Sequence, residues 1–407
     1  MYIDQSRTLK IAFVYNHETS HQVAHSAPTL KELLKRHPKF DVDVVTSTAE
    51  QEELVRYCLG ESLSARVNFI ALRGGERVKL LLKLFNMVMP ARRYWMLRQN
   101  LEVFRQYDAI IVPEWTSLML RQRFGLEDLK FIFTHHGAGD RAVSFNRNIR
   151  EFDFVLLPGQ KFEDVHLDQE LVRDGDYAVT GYPKFDFVKG GEVAPEPLFD
   201  NDNPTVLYNP HFDPHLSSWY EMGEAVMNFF KANTAYNLIF APHVMLFQRA
   251  VHTSVEKRKI RFVKALAEDF KDCPNIHIDL GSQRSVDMTY TRAADIYLGD
   301  VSSQIYEFIE ERRPCIFLDS HDANWEGNPF YRHWTFGPVI DDISKLPQAL
   351  ETADLTLARY RMAQETGFHS TFDLTQTPSS VRAASAIAGF LNRMAYTEAN
   401  AEAAAAE

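Results

Sequence analysis

The sequence predicts an α/β protein made of two doubly wound, Rossmann-like parallel sheets. Three observations carry that expectation. Short apolar strands alternate with amphipathic helices through most of the 407 residues. One run rich in Gly, Pro and acids, Lys189 to Pro204, interrupts the alternation near the middle. Polar residues of unusual kind stand just past the ends of four strands, where open parallel sheets take their ligands. Two such units joined by one linker imply a ligand held in an interdomain cleft.

In the first half the strand candidates are Ile11–Tyr15, Val42–Val45, Asn68–Leu72, Ala109–Val112, Phe131–Thr134, Phe154–Leu157 and Ala178–Thr180. Each is three to five mostly β-branched, aromatic or aliphatic residues, the pattern of a strand buried on both faces. Helical stretches such as Thr29–Arg36 and Gln160–Leu171 lie between them. After the linker the alternation restarts with Thr205–Tyr208, Leu238–Ala241, Asn275–Ile278, Asp295–Leu298 and Pro314–Leu318. The expected organisation is an N-terminal domain over 1–188, a linker over 189–204 and a C-terminal domain over 205–375. A C-terminal helix over 376–395 and a disordered Ala-rich tail over 396–407 complete it.

Composition narrows the function. A net charge of −11 argues against nucleic acid as a partner of the whole chain. The three cysteines, Cys58, Cys273 and Cys315, are far apart and in no metal-ligand spacing, which reads as reduced thiols in a cytoplasmic protein. The N-terminus lacks the layout of a signal peptide, and no apolar run reaches about 18 residues. No glycine fingerprint for a dinucleotide follows the first strand, so a dehydrogenase is disfavoured.

The most informative segment is Gly299-Asp300-Val301-Ser302-Ser303, which leaves a strand and enters a helix carrying Glu307. The unpartnered N–H groups of a first helical turn attract phosphate oxygens, and Glu307 would accept from a ribose diol. Capping by Ser302 is the plainer alternative. His135-His136-Gly137 follows Thr134, and the glycines of Gly137-Ala138-Gly139 let backbone approach a ligand. His136 is therefore a candidate proton acceptor near neutral pH. His243, after Ala241-Pro242, is a candidate to stabilise charge on a diphosphate as a protonated imidazole, and Arg141 could clamp a phosphate. His211 and His215 resemble a metal pair, but the flanking prolines oppose the helix that pairing needs. With no Asp-x-Asp cluster either, neither a metal nor a cofactor is expected. His21, His25, His37, His252, His277, His321, His333 and His369 read as surface or loop residues.

Residues 73–98 reverse the sign of this acidic chain. Arg77, Lys79, Lys83, Arg92 and Arg93 interleave with Leu, Phe and Trp95, which suits an anionic membrane surface. A helix packed on the core with a basic outer face is the alternative.

These residues, in this order, resemble the CDP-glycerol glycerophosphotransferase family, the teichoic-acid polymerase type with a GT-B fold. The resemblance runs from about residue 130 to 390. It rests on His136-Gly137-Ala138-Gly139-Asp140-Arg141, Leu157-Pro158, Gly181-Tyr182-Pro183-Lys184-Phe185-Asp186, Gly299-Asp300-Val301-Ser302-Ser303 with Glu307, Arg312-Arg313-Pro314 and Gly337-Pro338-Val339. The chain departs from the family pattern at Ala138 and Gly139, at Pro210-His211-Phe212-Asp213, where an arginine is lost, and at Val301. The resemblance implies His136 as base toward the acceptor hydroxyl, and His243 and Arg141 near the donor diphosphate. It implies that Asp300, Ser302, Ser303, Glu307, Gly137 and His211 line the nucleotide and phosphate site. The expected activity is metal-independent transfer of glycerol phosphate, or a similar alditol phosphate, from a CDP-linked donor to a surface polymer or lipid-linked glycan. Such a protein would work peripherally on the inner face of the cell membrane. A UDP-sugar transferase or non-hydrolysing epimerase, and a catalytically silent binding domain, are the alternative readings on the same fold.

Overall fold

The computed structural model describes residues 8–16, 20–74, 91–141, 146–189, 197–254 and 258–406. The chain divides into two compact units. The first comprises Met1–His136, Phe145–Gly190 and Phe372–Glu407, and the second Gly137–Ser144 and Gly191–Thr371.

The first unit holds seven parallel strands: β1 Lys10–Tyr15, β2 Asp41–Thr46, β3 Asn68–Ala71, β4 Ala109–Val112, β5 Lys130–Thr134, β6 Phe154–Leu157 and β7 Tyr177–Val179. Their order is β3-β2-β1-β4-β5-β6-β7, so the winding reverses between β1 and β4. β1 and β4 are buried almost throughout, as expected of central strands with helices on both faces.

The C-terminal helix, Ser379–Ala406, packs on this unit through Ala383, Ala384, Ile387, Ala388 and Leu391, all within its core. Fully burying Ile387 and Leu391 contributes roughly 1.5–3 kcal/mol each. The helix passes residue 395, where the sequence reading ended it, and continues to Ala406, because alanine and glutamate are strong helix formers. Its return is fastened at Gly181-Tyr182-Pro183. Gly181 has φ +83°, and a Cβ there would stand 2.3 Å from Ser379 Oγ and 2.6 Å from the Asp373 carbonyl. Asp186 accepts the Ser380 N–H at 2.6 Å, and Tyr182 packs on Phe372. This turn therefore clasps the returning C-terminus.

The second unit has six parallel strands: β8 Thr205–Asn209, β9 Asn237–Phe240, β12 Ile276–Ile278, β13 Ile296–Gly299, β14 Cys315–Leu318 and β15 Val339–Ile340. The order is β12-β9-β8-β13-β14-β15, with the reversal between β8 and β13. An antiparallel pair, β10 Val251–Ser254 and β11 Lys259–Phe262, stands apart from the sheet. It and the two-residue β15 are absent from the strands that the sequence predicts. Residues 190–196 of the expected linker lie outside the described residues.

Candidate functional site

Register fixes the site of the second unit. Leu298 lies opposite Tyr208, and Gly299 opposite Asn209, so the segments leaving β13 and β8 emerge side by side at the reversal. Tyr208 also pairs with Phe240, which brings the loop after β9 to the same edge. Asp300 ties these loops together. Its carboxylate accepts the N–H of His211 at 2.9 Å, of Val301 at 2.6 Å and of Ser218 at 2.6 Å, and the Ser218 hydroxyl at 2.8 Å. Burial pushes its pKa up to about 6 against the pull of those bonds. With its oxygens so engaged inside the protein, Asp300 holds the loops rather than presenting itself to a phosphate.

The helix after Ser302-Ser303 runs only from Gln304 to Phe308. So short a helix sums few peptide dipoles, and the macrodipole expected to hold phosphate is correspondingly weak. The Ser302 hydroxyl accepts the Gln304 N–H at 3.3 Å, a local turn contact ahead of the helix, whose N-cap is Ser303 and not Ser302. Ser303 is exposed, whereas Glu307 is buried, which disfavours the ribose contact expected of it.

Gly137-Ala138-Gly139-Asp140-Arg141 belongs to this second unit. A Cβ on Gly137 would lie 3.7 Å from Ser303 Oγ, and one on Gly139 3.3 Å from Ser303 Cβ, so the glycine turn passes directly over Ser303. His211 and His243, half-buried, have ring centroids 5.3 Å apart, with Phe212 against both. In each ring Nδ1 accepts a backbone N–H, from Asp213 at 3.0 Å and from Met245 at 3.2 Å. That fixes the tautomer: Nε2 carries the proton and is a donor. Burial lowers the His243 pKa to about 4. Burial, with His243 and the Arg141 charge adding, holds His211 well below the usual histidine range. The sequence reading of His243 as a protonated imidazole is corrected: both rings are neutral N–H donors. Arg141 is close enough to His211 for its charge to be felt there.

The reversal of the first unit carries a different set. His136 donates Nδ1–H to the Pro113 carbonyl, which leaves its lone pair on Nε2. Pro113 is held by the loop after β4, where the buried Glu114 accepts the N–H groups of Thr116 at 2.6 Å and Ser117 at 3.2 Å as well as both hydroxyls. Burial lowers the His136 pKa, the Pro113 carbonyl and Glu114 oppose that shift, and Arg93 adds to it. His136 is thus a neutral imidazole at pH 7, able to accept a proton. His25 lies edge-on to it at 6.5 Å. His135 points into the core against Phe162 and His166, and burial depresses its pKa strongly.

Sequence reasoning missed Glu114, although its place just past β4 follows the same strand-end rule. It also misplaced His25, His252 and His333, which are 4%, 5% and 2% exposed. His252 donates Nε2–H to the Leu246 carbonyl at 2.9 Å and packs on Phe212. The aromatic neighbours of His333, Tyr331, Trp334 and Phe336, were the available signal of burial.

His211 and His215 do not pair, since His215 stacks on His321 instead. Among the described residues no three His, Cys, Asp or Glu side chains are grouped to hold a metal ion. Of the basic segment, Arg77, Lys79 and Lys83 lie outside the described residues, and so does the Arg92 side chain. Arg93 and Trp95 are half-buried on the helix Ala91–Gln99, with Arg93 near His136. No helix among the described residues is long and apolar enough to cross a membrane.

No family model matches the chain, and no curated protein does. Solved structures are similar over nearly its whole length. A wall teichoic acid polymerase TagF with CDPG is 13% identical with a TM-score of 0.59, covering 95% of this chain and 89% of its own. The S. aureus MnaA–UDP structure is 13% identical with a TM-score of 0.57, covering 95% and 97%. A UDP-GlcNAc 2-epimerase from Neisseria meningitidis bound to UDP-GlcNAc is 12% identical with a TM-score of 0.53, covering 95% and 100%. At such identities the likeness establishes the fold: two Rossmann-like parallel-sheet units of GT-B type.

Proposed function

We propose that the chain is a transferase that moves glycerol phosphate, or a similar alditol phosphate, from a CDP-linked donor to a hydroxyl of a cell-surface polymer or lipid-linked glycan. The observation that carries this reading is the division of labour among three histidines. Backbone partners hold His136 with its lone pair on Nε2, and hold His211 and His243 with their protons on Nε2. Phosphoryl transfer to a hydroxyl requires a basic nitrogen to take the proton and N–H donors for the phosphate oxygens. The acceptor oxygen attacks the β-phosphorus while its proton passes to His136 Nε2. The bond from that phosphorus to the bridging oxygen breaks, and CMP leaves with the electron pair. Arg141, His211, His243 and the Ser303 hydroxyl would stabilise the non-bridging oxygens and the departing phosphate, with Gly137 allowing close backbone approach. Catalysis of this kind is mostly positioning and electrostatics. Two of the similar TagF structures are of that protein with CDPG, which supports a CDP-linked substrate here. The same reading has the acceptor at a membrane surface, met by Arg77, Lys79, Lys83, Arg92, Arg93 and Trp95.

The UDP-sugar reading has a specific observation of its own, the likeness to the UDP-bound and UDP-GlcNAc-bound proteins at TM-scores of 0.57 and 0.53. One experiment separates the two. The protein is incubated with CDP-glycerol and, separately, with UDP-GlcNAc, each with a lipid-linked glycan acceptor. Release of CMP that depends on acceptor and is lost in His136→Ala supports phosphoryl transfer. Epimerised UDP-GlcNAc, or released UDP, with no CMP would overturn it.

A further inference from the structure

We propose that His333 is a positioning residue for the phosphate-binding turn, acting through Asp140. The inference rests on the reading that Arg141 and Ser303 grip the donor diphosphate, and adds what holds them in place. Asp140 is a carboxylate only 5% exposed, one residue before Arg141. It accepts the Tyr306 hydroxyl at 2.6 Å, the His333 backbone N–H at 3.0 Å and His333 Nδ1–H at 2.9 Å. The other ring nitrogen, Nε2, faces the Asp300 carbonyl at 3.2 Å, which also accepts the Trp334 indole N–H at 2.9 Å.

One imidazole therefore spans from the residue before Arg141 to the residue two before Ser302. Both ends are parts of the chain from which phosphate contacts are expected, and both belong to the second unit. Within the turn over Ser303 only Ala138 carries a side chain, a buried methyl with no polar group, while Asp140 follows directly. The anchored carboxylate of Asp140 ties the end of that turn to His333 and Tyr306. At 2% exposure His333 cannot reach a ligand itself. A glutamine can serve one of the two partners but lacks the ring geometry to bridge both.

The test uses the full chain and isothermal calorimetry with CDP-glycerol and with cytidine, on wild type, His333→Gln, Asp140→Asn and Tyr306→Phe. Circular dichroism and thermal melts establish that each variant is folded. His333→Gln and Asp140→Asn are expected to bind CDP-glycerol at least ten-fold more weakly, with cytidine affinity changed less than two-fold. Tyr306→Phe, which leaves the ring bridge intact, should lose no more than about three-fold. A general loosening of the unit would instead weaken both ligands alike, and that result overturns the proposal. So does CDP-glycerol affinity in folded His333→Gln within two-fold of wild type. Failure of the wild-type protein to bind CDP-glycerol would count against the transferase reading, a separate outcome. Should His333→Gln fail to fold, Asp140→Asn decides by the same criterion.

Discussion

The two sheet reversals use the same residue type in opposite senses. At the first unit's reversal a backbone carbonyl, Pro113, takes the proton of His136 Nδ1, and the basic nitrogen is Nε2. In the second unit backbone N–H groups, from Asp213 and Met245, bind Nδ1 of His211 and His243, and Nε2 becomes a donor. Burial lowers the proton affinity of all three, so none depends on being charged at pH 7. The difference teaches that the role of a buried histidine is set by the polarity of the backbone group one ring-width away. The loop carrying that group is as much part of the site as the ring.

The comparison breaks most visibly at the base. His136→Ala should lower kcat by about 10²- to 10⁴-fold, with the affinity for CDP-glycerol little changed, as read from steady-state CMP release. His243→Ala and His211→Ala should act on the other side of the contrast. Each removes a donor to a charged oxygen, a loss of about 1.5–3 kcal/mol, seen as weaker CDP-glycerol binding by calorimetry. Equal effects on affinity from all three substitutions would erase the distinction drawn here.

The pH profile sharpens the same point. In the proposed reaction His136 acts deprotonated, and its pKa is lowered, so kcat/KM should fall only as pH drops below about 6.5, with a plateau from there through pH 8. A limb centred above pH 7 would show that another group, or a charged histidine, is in control. Asp300→Asn tests the hub of the second unit. Its amide would set N–H against a donor at His211, Val301 or Ser218, at a cost of about 1–3 kcal/mol in a denaturant melt. The smallest expected effect is at Glu114→Gln. An amide keeps part of the loop bonding, so kcat should fall only a few-fold, and a ten-fold or larger loss would promote Glu114 to a direct role.

Much of the fold was legible because the central strands are unbroken apolar runs, such as Ala109–Val112 and Phe154–Leu157. The pair β10–β11 was not, since Val251-His-Thr-Ser and Lys259-Ile-Arg-Phe mix polar residues into short strands that stand apart from the main sheet. Chain continuity concealed that residues 137–144 join the second unit and that residues from 372 return to the first. The stripe Ala383, Ala384, Ile387, Ala388 and Leu391 announces a packed helix, but nothing in it names the partner. The strand-end rule singled out His136, His211, His243 and the Asp300 turn as candidates. It could not tell base from donor, because that depends on Pro113, Asp213 and Met245, whose backbone groups are the same in every sequence.

The tautomers themselves are the most direct measurement. With ¹⁵N-labelled histidine, two-bond nitrogen–proton correlations at pH 7.5, assigned by single substitutions, report which ring nitrogen carries the proton. The account predicts His136 protonated on Nδ1, and His211 and His243 protonated on Nε2. His136 found with its proton on Nε2, or all three rings in one form, would contradict it.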